Sequence, residues 1–331
     1  MSAPAPDALL ALARTAAAAG AWGDVRATLE GDSAVTERDG ARAVLLADAC
    51  LWTGDPRSAS RWLNRALPLL TAAADRPAMR RSVNMQGAAA FALGALDEAS
   101  NRFSQALSMA LRDDDTLLTA RATNNLGLIE ALRGNADQAI VAYQRAIMMY
   151  QRLGNPRGLA ESWHNLAISF RTRGELDAAE DAERRAIEFA NEAGNSRLAT
   201  MAMVGRAELS LRRGDFAWAR ATAARAVTAF AALPDFLLQA DALRVLADAA
   251  DRMELVAEAD TSIAAALELA RTHAHRTQEA QALQTTAQIM LRRGVVDAAR
   301  TIGQQAREAF SELGSVSAAE EMAEFLAGLS R

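Results

Sequence analysis

The sequence predicts an all-α solenoid, a stack of helical hairpins in place of separate globular domains. Three observations carry that prediction. The first is a period: Gly54, Gly94, Gly134, Gly174 and Gly214 stand 40 residues apart, Glu254 and Gly294 continue the series, and Gly20 precedes Gly54 by 34. The second is a set of small residues at fixed offsets from these anchors. Seven before come Ala13, Ala47, Gly87, Gly127, Ala167, Ala207, Ala247 and Ala287; five after come Ala59, Ala99, Ala139, Ala179, Ala219, Ala259 and Ala299; twelve after come Ala66, Ala106, Ala146, Ala186, Ala226, Ala266 and Ala306. The third is composition, 51% hydrophobic but only 5% aromatic across 331 residues, which suits closely spaced helices and excludes disorder. A period of this length means stacked hairpins that usually offer a docking surface.

Each element follows from the same phrase. In the unit from Pro156 to Asn195, Leu159, Trp163, Leu166, Ala167 and Phe170 fall at helical spacing, and Gly174 ends that helix behind basic Arg171 and Arg173. Leu176, Ala179, Ala182, Ala186 and Ile187 then form the stripe of a second helix. Glu175 and Asp177 sit near its start, and Gly194-Asn195 closes it. Applied along the chain, the pattern predicts a single array with units at 7–32, 41–72, 78–112, 117–153, 157–193, 197–232, 237–272 and 277–312, and a capping helix at 316–329. The recurring alanines mark where helix axes approach most closely, because a larger side chain there costs about 1–3 kcal/mol in overpacking. Departures are local. Gln86, Arg206 and Thr286 replace leucine in the first helix, Glu254 replaces the turn glycine, and Asp32 replaces a second-helix alanine. The first unit and the unit containing Glu254 are therefore the expected places for poor packing or a bend.

The phrase NNLGLIEALRGNADQAIVAYQRAIMMY at 124–150 resembles a tetratricopeptide repeat, with Asn125-Leu126-Gly127, Gly134, Ala139, Tyr143 and Ala146 in the matching positions. HNLAISFRTRGELDAAEDAERRAIEFA at 164–190 is similar. The 40-residue form, with Leu153-Gly154-Asn155 and Ala193-Gly194-Asn195 between units, is similar to arrays in MalT-type regulators, peptide-pheromone receptors and LGN-like scaffolds. The resemblance implies a right-handed superhelix of about eight units, with first helices lining a concave groove. It also implies ligand contacts thirteen, ten and nine residues before each turn. On this chain those positions include Arg81, Asn84 and Met85; Arg121, Asn124 and Asn125; Glu161, His164 and Asn165; Met201, Val204 and Gly205; Asp241, Arg244 and Val245; Gln281, Gln284 and Thr285. Side-chain amides in a row suit an extended peptide backbone, and Arg81 and Arg121 suit a carboxylate. Asn125 and Asn165 equally fit a consensus role bonding a neighbouring helix end.

Composition excludes other chemistry. A net charge of −5 and a pI near 5.4 argue against broad nucleic-acid binding. All 36 basic residues are arginine, so there is no P-loop lysine, Schiff base or lysine-based chaperone-tail clamp. Cys50 is the single cysteine, reading as an inert core thiol with no disulfide or thiolate zinc site. His273 and His275 read as loop residues, not metal ligands, and Asp113-Asp114-Asp115 as a solvated helix cap. Trp52, Trp62 and Trp218 read as packing residues. His164 with Glu161 lacks the nucleophile and orienting group of a catalytic site. No secretory or membrane-spanning signal is present, so a soluble cytoplasmic protein is expected. The expected function is a non-enzymatic scaffold that binds a protein or peptide and needs no cofactor. The alternative is a peptide- or ligand-sensing regulator acting through a separate partner. Leu9, Leu10 and Leu12 form an apolar flank suited to self-association.

Overall fold

The computed structural model describes residues 6–18, 20–233, 235–273 and 275–329, and among these every regular element is helical. The chain divides into two compact units, Met1–Ala122 and Thr123–Arg331. Unit 1 holds α1 (Pro6–Ala18), α2 (Trp22–Glu30), α3 (Ser33–Thr36), α4 (Gly40–Trp52), α5 (Pro56–Ala72), α6 (Arg76–Ala92) and α7 (Leu96–Arg112). The boundary falls within α8 (Thr116–Leu132). Unit 2 holds α9 (Ala136–Arg152), α10 (Pro156–Thr172), α11 (Leu176–Glu192), α12 (Ser196–Arg213), α13 (Phe216–Ala232) and α14 (Phe236–Arg252). It continues through α15 (Val256–Thr272), α16 (Arg276–Arg292), α17 (Val296–Glu312) and α18 (Val316–Gly328).

Each hairpin is built from local signals. Asp75, Asn155, Asn195 and Asp235 accept from a backbone N–H three residues on, capping α6, α10, α12 and α14 at 2.8–3.2 Å. The turn anchors are left-handed, with φ of 76° at Gly54 and 85° at Gly214, a conformation that glycine adopts without cost. Glu254 takes the same conformation at φ 61°. The expected defect at Glu254 is thus confined to backbone strain, for α14 and α15 both keep 17 residues.

The predicted contact alanines are buried. Ala13, Ala47, Ala207 and Ala287 of the first helices, and Ala59, Ala139, Ala219, Ala299, Ala66, Ala106 and Ala306 of the second, are 0% exposed. Where the first helix has glycine, an aromatic fills the space. A Cβ on Gly87 would stand 2.6 Å from Phe103, and one on Gly127 2.8 Å from Tyr143. The irregular first repeat also has a physical reason. Asp32 stands where alanine is needed, α2 stops after nine residues, and buried Arg42 binds Asp32 at 3.0 Å. Trp22 stacks on Trp52 with ring centres 5.6 Å apart.

The leucine-slot exceptions are accommodated by hydrogen bonds. Gln86 donates to Asn64 at 2.7 Å, Arg206 to Glu180 at 2.7 Å, and the Thr286 hydroxyl to the Ala282 carbonyl at 2.7 Å. Within unit 2 the first helices of successive hairpins touch one another (α10 with α12, α12 with α14, α14 with α16), whereas among the described residues the second helices show no comparable contacts. A stack whose first helices are drawn together bends with those helices inside. In unit 1, α4 and α6 meet in the same way. Among the described residues no helix is long and apolar enough to cross a membrane.

Candidate functional site

In unit 1 the starts of α6 and α8 border an open cleft of about 400 Å³, floored by Pro77, Ala78, Leu117 and Leu118. Its charged residues divide into two kinds. Asp75 and Asp115 are committed to capping, through Ala78 N–H and Leu118 N–H, both at 3.0 Å. Arg80 is locked between Asp113 at 3.1 Å and Asp115 at 2.8 Å. The aspartate run therefore caps a helix, as its sequence suggested, but is bridged by arginine instead of freely solvated. Burial alone would raise the Asp115 carboxyl, but the Leu118 N–H and Arg80 outweigh it and lower it. Arg81 and Arg121 also line this cleft, are exposed and form no salt bridge among the described residues, although the charge of Arg121 also helps to lower Asp115. Asn84 is half-buried nearby on α6, and Met85 is buried.

Unit 2 places its candidates in three groups. Asn124 is buried, its Oδ1 accepting from Ser162 Oγ at 2.9 Å and from Asn165 Nδ2 at 3.5 Å. These bonds join α8 to α10, so the amides are partly spent on structure. Asn125 is half-buried. Glu161 pairs with Arg157 at 3.2 Å, not with His164. His164 instead meets Glu183 of α11, Nδ1 to Oε2 at 2.9 Å, in a site where Glu183 is 0% exposed. The third group is an ionic ladder across the first helices. Arg171 binds Glu208 at 2.6 Å, Glu208 binds Arg244, and Arg244 binds Asp241 at 2.7 Å. Burial raises the Glu208 carboxyl, yet Arg171 and Arg244 together hold it down at about 2. Arg292 extends the ladder to Asp248 and Asp251 at 2.6 and 2.8 Å. Gln281 and Gln284 are half-buried on α16; Val204, Gly205, Val245 and Thr285 are buried.

Sequence reasoning missed Glu183, Glu208, Arg171 and Ser162. Glu183 had a readable signal. It stands nine residues after its anchor, where Leu63, Phe103, Tyr143 and Ile263 fill the core of other hairpins. The remaining candidates resolve simply. Burial pushes the Cys50 thiol up to about 11, so it is protonated and inert. His273 stacks on Phe236 at 3.9 Å and its ring centre lies 6.1 Å from that of His275. Among the described residues no group of three or more His, Cys, Asp or Glu side chains is arranged to hold a metal.

The fold and its inner wall of first helices define a helical-repeat protein of the solenoid class. The repeat itself is identified at residues 118–192, which match the family model described as tetratricopeptide repeat. That segment runs from α8 to the end of α11, two of the helical hairpins that recur along the chain. No curated protein matches the sequence. Solved structures do match in fold. A Rap protein complexed with competence and sporulation factor has a TM-score of 0.66 at 12% identity, covering 98% of this chain and 97% of that one. The apo form of RapI gives 0.64 at 10% identity, covering 83% and 98%. The Cut9-Hcn1 hetero-tetramer of APC/C gives 0.62 at 15% identity, covering 95% and 56%.

Proposed function

We propose that this protein is a non-enzymatic scaffold that binds a peptide or protein segment along its first-helix faces. The observation that carries the reading is the contrast between adjacent arginines. Arg80 is held by salt bridges to two aspartates, whereas Arg81 and Arg121 make none among the described residues and stand exposed over an apolar-floored cleft. An unpaired guanidinium presents a fork of donors that matches a carboxylate, and the apolar floor suits a neighbouring side chain. The partner is therefore an extended segment bearing a carboxylate, either an acidic side chain or a chain end. The Rap protein that shares this fold was solved with a bound factor, which supports a ligand role for such an array.

The test is a fluorescence-anisotropy titration with peptides carrying one carboxylate, as a glutamate side chain or as a free chain end, and their glutamine or amidated counterparts. Peptides with the carboxylate bind, the amides bind at least about tenfold more weakly, and Arg81→Ala with Arg121→Ala removes the difference. Equal binding of both peptide forms to the native protein overturns the assignment.

A further inference from the structure

We propose that His164 and Glu183 form a proton-dependent contact for a ligand carboxylate on the inner face of unit 2, with His164 Nε2 meeting the ligand and Glu183 the positioning residue. The inference rests on the proposal above that the first-helix faces bind ligand.

Three positions combine to build this pair. Glu183 occupies a core slot that takes Leu29, Leu63, Phe103, Tyr143, Ala223, Ile263 or Gly303 in the other hairpins, and it is 0% exposed. Gly205 of α12 lies directly against it: a Cβ at that position would stand 2.0 Å from Glu183 Oε1. His164 of α10 supplies the partner, its Nδ1 2.9 Å from Glu183 Oε2. Glu183 Oε1 is buried with no hydrogen-bond partner, so the carboxyl is fully desolvated and committed to the imidazole. A buried charged pair in a slot that elsewhere holds only uncharged side chains is seldom the most stable filling, which points to a role beyond packing.

The ring leaves one nitrogen for a ligand. Nδ1 faces Glu183, which leaves Nε2 as the ring nitrogen for a ligand, and the His164 side chain keeps 11% of its surface exposed. The shared proton decides what Nε2 presents. While the pair keeps it, as imidazolium–carboxylate or as imidazole–carboxylic acid, Nε2 carries hydrogen and donates. Once it is lost, Nδ1–H donates to the carboxylate, Nε2 becomes an acceptor, and the pair is left with a negative charge. A carboxylate is accepted in the first state and repelled in the second.

The surroundings favour keeping the proton. Burial lowers His164, but the charge and hydrogen bond of Glu183 outweigh it and raise it; burial likewise raises Glu183. Besides Glu183 on α11, the leading charged influences are Arg171 on α10 and Glu208 on α12, which are paired with each other. None of the leading influences comes from α9.

The test is nuclear magnetic resonance on protein labelled at histidine ring nitrogen. The chain has three histidines, so His273 and His275 serve as internal controls. The probe is an acetylated, amidated glutamate peptide, with glutarate as its small counterpart. Below the titration midpoint the probe shifts His164 Nε2, and above it affinity at this atom falls at least about tenfold. Glu183→Gln lowers the midpoint and moves the binding profile with it, whereas His164→Gln binds equally across the range while remaining folded. The proposal is overturned if saturating probe leaves the protonated His164 ring unmoved, or if Glu183→Gln leaves the profile in place. In those cases the backbone amides discriminate. Shifts along α10 and α12 without His164 retain the ligand face and remove only this contact; no shifts there remove both.

Discussion

Tyr143 and Glu183 occupy the same slot on consecutive second helices of unit 2 and solve its burial in opposite ways. Tyr143 is 1% exposed and lies against Gly127, so size alone closes the space. Glu183 is smaller and ionisable, and it requires His164 for its proton and Gly205 for its room. The aromatic hairpin depends on shape and the ionic one on a proton. One repeat template thus carries both a structural unit and a titratable one.

The sharpest break of that comparison is Glu183→Ala. It leaves His164 buried without its partner and is expected to cost about 3–5 kcal/mol in urea unfolding. Removing both members tells a different story: His164→Val with Glu183→Leu is expected to be neutral or to stabilise by about 1–4 kcal/mol. If the single and double changes destabilise equally, the slot does not behave as an ionic pair. Next in size is Gly205→Ala, expected to cost about 1–3 kcal/mol because the carboxylate it meets is held by His164.

Stability should also depend on pH in a defined direction. His164 is raised, so its contribution is complete below the unfolded imidazole value, about 6.5, and is lost as pH rises through the folded value. Glu183 is raised as well, so its burial penalty also appears as pH rises. Both act in the same sense. The native protein loses stability relative to the His164→Val/Glu183→Leu variant as pH climbs above that window, read by parallel unfolding curves. A constant difference contradicts the pairing.

Smaller effects separate backbone from surface. Glu254→Gly relieves a left-handed non-glycine turn and is expected to gain about 1 kcal/mol, raising the melting temperature. Arg173→Ala breaks a pair with an aspartate that is 88% exposed, so its unfolding midpoint should move within ~0.5 kcal/mol of native.

The sequence made the architecture legible because its contact positions admit only small residues. Ala13 and Ala207 are identifiable from spacing alone, and both are fully buried. The site was harder to see. Outward positions of the first helices obey no packing rule, so nothing in the spacing separates unpaired Arg81 from Asn124, whose oxygen is taken by Ser162. Glu161 next to His164 in sequence suggested the wrong partner, because the pairing that forms crosses from α10 to α11. Neighbours along one helix are visible in a sequence; partners across a hairpin appear only when equivalent slots are compared, as the charge at Glu183 among aromatic and aliphatic residues shows.

The central claim is that the first helices form the wall that holds a ligand. A carboxylate-bearing peptide with a photo-crosslinking side chain, irradiated on the protein and mapped by mass spectrometry, tests it most directly. The account predicts adducts on α6, α10 and α12, abolished by excess unlabelled peptide; adducts confined to second helices such as α9, α11 and α13 would contradict it.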